Sequence, residues 1–243
     1  MIPKWTLCLA PFAFAASAGA QDGELTKEEL ASTLPGVEAG DIHDSPLPGM
    51  YEIVLDSDVV YVSTDGSYLI QGDVFDLQER RNLTEGRRAQ ARADILASVD
   101  TESLIVFSPD PENVRHTVTV FTDIDCGFCR QLHREMDQIN ALGVEVRYLS
   151  YPRTGPDTES WFKADKVWCA GDRHTAFTEA ILEDMVPEQS CDATPVASHF
   201  QLGRQVSVLG TPTILTDDGV QLGGYLAPDE LIDKLEALAE ASP

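Results

Sequence analysis

Hydrophobic and polar positions change their period along this chain, and each change marks a part of it. Residues 5–15 are mostly apolar, with Lys4 before them and Ala18-Gly19-Ala20 after, the pattern of a secretory signal peptide with an A-x-A cleavage site. Residues 1–20 are therefore expected to be a leader, with Gln21 first in the exported chain. That stretch is too short to span a bilayer, and no later segment approaches the roughly 20 consecutive apolar residues of a membrane helix. Cys8 sits inside the stretch rather than at the cleavage point, so no lipid anchor is expected.

A helical pattern covers residues 25–34, with Thr26 as cap, Glu29 three residues on and Pro35-Gly36 as stop. Residues 51–55, 59–62 and 67–71 then read as β-branched and aromatic strands, with Asp65-Gly66 as a turn and a further short strand at 74–76. Roughly 60 residues is marginal for an independent core, which self-association would remedy. Residues 78–99 turn charged and Ala-rich, predicting a polar helix with little to bury, the composition of a spacer.

The remainder reads as α/β. Residues 116–122 form a strand. A helix from Cys126 follows, with Leu132, Met136 and Ile139 on one face, then a strand at 144–149 after Gly143. This strand-helix-strand order implies a right-handed parallel crossover. Residues 159–203 are mainly helical, with Trp161, Phe162, Trp168, Phe177, Ile181, Leu182 and Phe200 as expected core. A hairpin at 213–222 turns at Asp217-Asp218-Gly219, and a last helix starts at Pro228 and aligns Leu231, Leu235 and Leu238. A helical insertion within a thioredoxin-like frame accounts for this order.

Charge adds one constraint: the formal net charge over 243 residues is −24, and losing Lys4 with the leader makes the exported chain more acidic still. Such a field repels nucleic acid and anionic lipid, and no long basic patch opposes it. Without Cys8, four cysteines remain, which allows three pairings in an oxidising compartment. Cys126 and Cys129 lie two residues apart where a strand gives way to a helix, a redox arrangement, because unpaired N–H groups of a helix's first turn favour a thiolate. If these two are the reactive pair, Cys169 and Cys191 remain to staple each other, a bond contributing about 3 kcal/mol. Zinc also uses C-x-x-C, but it needs four ligands, and Cys169 with His174 is a thin second half. Gly210-Thr211-Pro212-Thr213 directly precedes a strand, where Pro212 suits a tight, cis-type junction facing the cysteine pair.

Ile70-Gln71-Gly72, the run from Val118 to Cys129 (VTVFTDIDCGFC), Ala141-Leu142-Gly143-Val144, Val146-Arg147-Tyr148-Leu149, Pro152-Arg153, Trp168-Cys169, Ser190-Cys191-Asp192 and Gly210-Thr211-Pro212 together resemble the DsbC/DsbG family of periplasmic thiol:disulfide interchange proteins. The resemblance implies an α+β N-terminal dimerisation domain (21–77), a linker helix (78–100) and an α/β thioredoxin-like catalytic domain with a helical insertion (101–243). It implies a V-shaped homodimer whose apolar cleft holds misfolded exported proteins with wrong disulfides, and a periplasmic location. It also implies Cys126 as attacking sulfur, Cys129 as resolving sulfur, a structural disulfide between Cys169 and Cys191, and Thr211 with cis-Pro212 beside the client. A DsbD-type membrane reductase would keep the pair reduced, with no organic cofactor or metal.

Within the family, Gly127-Phe128 between the cysteines leans toward DsbC-like isomerases, since DsbG-like reductases that protect single cysteines usually carry Pro-Tyr. The chain departs at Asp125, commonly uncharged in DsbC-like relatives, and carries Arg130 after Cys129. The carboxylate opposes a thiolate and the guanidinium favours one; the helix terminus together with Arg130 is expected to keep Cys126 ionised. A holdase chaperone, indifferent to its cysteines, is the reading from a different class.

Overall fold

The structure is a computed structural model describing residues 23–241, so the leader expected at 1–20 lies outside the described residues. Helix α1 (Lys27–Thr33) begins where expected: the Thr26 hydroxyl accepts from the Glu29 amide at 3.2 Å while the Glu29 carboxylate accepts from the Thr26 amide at 2.9 Å. This reciprocal cap satisfies two donors that a helix start otherwise leaves open. Strands β1 (Ile42–Asp44), β2 (Met50–Leu55), β3 (Asp58–Ser63) and β4 (Leu69–Ile70) then form an antiparallel sheet in that order. Alternation along them sends Ile42, Ile53 and Val62 against Leu30 of α1. β1 has no period-two pattern of its own; pairing with β2, His43 opposite Glu52, makes it a strand.

Strand β5 (Phe75–Asp76) pairs with β6 (Arg81–Asn82) in a separate ribbon, so residues 78–82 are turn and strand rather than the start of the linker helix. The cause is local, since the Asp76 carboxylate accepts from the Gln78 and Glu79 amides at 2.8 and 3.0 Å and closes the turn. Helix α2 (Leu83–Ala97) starts after Asn82, whose side chain accepts from the Glu85 amide at 3.0 Å. It buries more than a spacer would. Ala89 and Arg92 are buried, and Ile95 and Leu96, with Val99 just past the helix end, pack on Phe121, Leu149, Val206 and Leu215 of the following module.

That module holds β7 (Ile105–Phe107), β8 (His116–Thr122), α3 (Gly127–Arg134), α4 (Met136–Ala141), β9 (Val144–Ser150), α5 (Glu159–Trp168), α6 (Arg173–Glu183), α7 (Val196–Gln205), β10 (Thr213–Thr216), β11 (Gln221–Gly223) and α8 (Pro228–Ala241). The sheet order is β11-β10-β8-β9-β7, with β8 and β9 parallel and the remaining neighbours antiparallel. Val118, Val120 and Ile214 meet Leu132, Ile139, Phe177 and Leu231 in one continuous core. Three helices, α5 to α7, are inserted between β9 and β10, giving a thioredoxin-like frame with a helical insertion. The helix after Cys126 breaks at Glu135, yet Leu132, Met136 and Ile139 all remain buried. Phe162 departs from the expected core and is 53% exposed, because it lies on the outer side of α5, whereas Ala164, Val167 and Trp168 face inward.

Candidate active site

β8 is the central strand of its sheet, so the chain leaving its C-terminal end is held firmly. Asp123 begins that exit. Its buried carboxylate accepts from the Ser160 hydroxyl, the Arg153 amide (2.9 Å), the Arg153 guanidinium (3.0 Å) and the Asp125 amide (2.9 Å). Burial alone would raise this carboxyl, but those donors outweigh it and hold Asp123 below its ordinary value. The loop is thereby tied to α5 and to the segment after β9, and it delivers Cys126 as N-cap of α3, with the Cys126 amide donating to the Asp123 carbonyl at 3.0 Å.

Cys126 and Cys129 are both free thiols, one helical turn apart; Cys126 is 2% exposed and Cys129 0%. Across from them, the Thr211–Pro212 peptide bond is cis, and the Cys126 thiol donates to the Thr211 carbonyl at 3.1 Å. β10 brings this about by pairing Thr213 with Phe121 of β8, one register step from the end that feeds the cysteine loop. The Thr211 hydroxyl is buried and has no hydrogen-bond partner among the described residues, which leaves it free to donate to a Cys126 thiolate.

The two thiols are driven apart. Cys126 is lowered to about 5, first by the Cys129 thiol donating to it, then by Thr211 and by the amides of Cys129 and Phe128 in the first turn of α3, against the opposing effect of burial. Cys129 is raised, first by burial and then by the neighbouring Cys126 sulfur. The side chains expected to tune the pair from either flank turn elsewhere. Arg130 donates through Nε to the Ile181 carbonyl at 2.6 Å, and the groups that lower Cys126 are the Cys129 thiol, Thr211 and the first-turn amides of α3. Asp125 is taken by Lys163, whose Nζ lies 2.9 Å from its Oδ1.

Gly127 opens α3 with open space where a Cβ would be, and Phe128 is 62% exposed with its ring stacked on Tyr225 at 6.3 Å. Cys169 and Cys191 are joined, with Cα atoms 5.6 Å apart, linking the end of α5 to the segment before α7. Among the described residues, no cluster of three or more His, Cys, Asp or Glu side chains is arranged to hold a metal ion, and no helix is long and apolar enough to cross a membrane. Sequence reasoning missed Asp123, Ser160 and Lys163. An acid so close after an apolar strand run was the one available signal for Asp123; the other two come from α5, 37 and 38 residues from the acids they meet, and left none.

A thiolate-forming cysteine at a helix start on a thioredoxin-like sheet defines the chain as a thiol-disulfide oxidoreductase. Its relatives make this more specific. Residues 14–85 match the Disulfide bond isomerase protein N-terminal domain, and residues 110–239 match a Thioredoxin-like domain. The chain is 37% identical over 204 residues to the thiol:disulfide interchange protein DsbC of Dickeya dadantii, covering 83% of this chain and 82% of that protein. It is 34% identical over 224 residues to the protein of the same name from Escherichia coli K12, covering 92% and 91%. A solved disulfide interchange protein from Neisseria gonorrhoeae is 30% identical, with a TM-score of 0.49 over 56% of this chain and 97% of that one. The chain belongs to the DsbC family.

Proposed function

We propose that this chain is a protein disulfide isomerase of the periplasm, working as a homodimer, with Cys126 as its attacking sulfur and Cys129 as its resolving one. The observation that carries this reading is geometric: Cys126 caps the start of α3 opposite the cis Thr211–Pro212 peptide, with Cys129 buried one turn on, and in this setting Cys126 is lowered to about 5 while burial raises Cys129. Near neutral pH the first is a thiolate and the second a thiol.

The Cys126 thiolate attacks one sulfur of a wrong client disulfide, so a mixed disulfide forms and the client's other sulfur leaves as a thiolate. A different client thiolate then attacks the client sulfur of the mixed disulfide, forming a new client disulfide and returning Cys126 as thiolate with no net transfer of electrons. Alternatively Cys129 gives up its proton and attacks Cys126 Sγ. The client then leaves as a reduced thiol, two electrons have passed to it, and the enzyme holds a Cys126–Cys129 disulfide. A raised Cys129 keeps its own thiolate scarce, which slows this escape and leaves time for client thiols to act. A membrane reductase of the DsbD type would return the oxidised pair to the dithiol.

Beside the sulfur, the backbone of Thr211 and Pro212 is the edge against which an extended client segment pairs. Phe128, 62% exposed, and Leu209, 98% exposed, offer apolar surface two residues from Cys126 and from Thr211 in the chain, which favours chaperone-like holding of unfolded chains alongside the chemistry. In the N-terminal module, β4 is a sheet edge with Leu69 and Ile70 exposed and Tyr68 exposed just before it, and Phe75 and Leu77 of the separate β5–β6 ribbon are exposed as well. An unpaired apolar edge on so small a module suits a second copy of this chain.

Reactivation of a scrambled multi-disulfide protein tests the function. Cys126→Ala is expected to abolish reshuffling while suppression of client aggregation persists. Reshuffling by Cys126→Ala would refute the isomerase assignment, and loss of both activities together would refute a separate holding surface.

A further inference from the structure

Asp125 immediately precedes the reactive cysteine, and an uncompensated carboxylate there would oppose the Cys126 thiolate on which the proposed function rests. The structure compensates it from a distance in sequence. Lys163, one turn into α5, places Nζ 2.9 Å from Asp125 Oδ1, 2.9 Å from Asp184 Oδ1 and 3.3 Å from Glu159 Oε1, and its side chain is only 17% exposed. α5 is fixed at this spot independently, because Ser160 of the same helix donates to buried Asp123 in the cysteine loop. This contact holds the backbone of α5 beside the cysteine loop and so keeps the Lys163 stem within reach of Asp125. Asp184 caps the end of α6, which also supplies the Ile181 carbonyl that holds Arg130.

We infer that Lys163 is a positioning residue for the disulfide chemistry: by pairing with Asp125 it removes that carboxylate's opposition and sets the ionisation and redox poise of Cys126. The groups facing Lys163 are Asp125 from the cysteine loop, Glu159 from its own helix and Asp184 from the end of α6. Arg130 of α3 acts on Asp184, and Asp123 is already paired with Arg153. Of the three carboxylates on this ammonium, only Asp125 belongs to the residue next to Cys126 in the chain, which makes the pairing with Asp125 the contact that matters for Cys126. The Asp184 contact is the largest influence raising Lys163, followed by Asp125, so the side chain stays protonated throughout the pH range in which Cys126 titrates.

The test is thiolate absorbance against pH in the full reduced protein, together with its disulfide equilibrium against glutathione. Lys163→Met is expected to raise the Cys126 pKa by about one unit and to move the glutathione equilibrium about tenfold toward the Cys126–Cys129 disulfide, because the thiolate that stabilised the dithiol form is now opposed. Asp125→Asn, which leaves Lys163 charge beside the site, is expected to lower it. Asp125→Asn with Lys163→Met is expected to return most of the way to the parent value, and Lys163→Arg to remain there. An unshifted Lys163→Met overturns the inference, and so does a double variant as displaced as Lys163→Met, since the effect would then come from α5 loosening rather than from charge. If Lys163→Met fails to fold, Lys163→Gln replaces it: a rise that Asp125→Asn in the same chain largely cancels supports the inference, and an unshifted Lys163→Gln overturns it. These readouts follow the thiol itself, so loss of the isomerase assignment in the scrambled-protein assay would leave them standing.

Discussion

The Cys126 thiol lies 3.1 Å from the carbonyl oxygen of Thr211, across the gap between the start of α3 and the strand entrance at cis-Pro212. A thiolate loses that donor contact, and the oxygen cannot help it; the amides of α3, the Cys129 thiol and the Thr211 hydroxyl take over. The ionised form is thus held by donors alone. Thr211→Val, which keeps the shape and removes the hydroxyl, should raise the Cys126 pKa by about half a unit to one unit. Thiolate absorbance or the pH dependence of alkylation measures this.

The same ionisation ties stability to pH. In the folded dithiol Cys126 titrates near 5, against 9.0 for an ordinary thiol, so its folded value is depressed. A depressed acid contributes stability that is fully present above the unfolded value and is lost as pH falls through the folded one. The reduced protein should therefore gain stability, relative to Cys126→Ser, as pH rises from 5 toward 9. Urea denaturation of the two across that window checks the sign.

Asp123 should be the costliest single charge to remove near the site. Asp123→Ala strips partners from the Ser160 hydroxyl and from two backbone amides, a loss of about 3 kcal/mol, with the cysteine loop freed from α5 as the first consequence. Denaturant unfolding gives the magnitude, and faster proteolysis within residues 123–126 would locate it.

Two glycines around α2 should respond in opposite directions. Gly219 has φ +74°, and a Cβ on it would lie 1.9 Å from the Ala89 carbonyl oxygen, so Gly219→Ala must push the β10–β11 turn off α2 and also strain the backbone. A loss of about 2 kcal/mol is expected. Gly86, inside α2, has open space around it, and Gly86→Ala should stabilise by about 0.5–1 kcal/mol. Thermal unfolding of both variants tells docking from propensity.

These contrasts also explain what could be read in the chain beforehand. The capping box at Thr26 and Glu29, the β8–α3–β9 order and the hairpin turn at Gly219 rest on residues adjacent in sequence, where local propensity and tertiary structure agree. The redox pair was legible for the same reason, since the strand, two cysteines and a helix start are contiguous. What escaped was made by distant partners. β1 exists because β2 pairs with it, α2 is buried because Gly219 admits it, and Arg130 and Asp125 are turned away by Ile181 and Lys163 from other helices. Phe162 was misjudged because an aromatic in a helix says nothing about which side of that helix meets the core.

The N-terminal edge carries its own prediction. Ile70→Asp places a charge on the exposed β4 edge and should convert a dimer into monomers in sedimentation, with the Cys126 titration unchanged. A monomeric parent protein would contradict the homodimer.

The most direct measurement is reactivation of a scrambled multi-disulfide protein by the reduced enzyme without added oxidant, compared among the parent, Cys126→Ser and Cys129→Ser. Attack by Cys126 with a slow escape through Cys129 predicts no catalysis by Cys126→Ser and substantial reshuffling by Cys129→Ser, with mixed disulfides accumulating. Reshuffling by Cys126→Ser at the parent rate would contradict it.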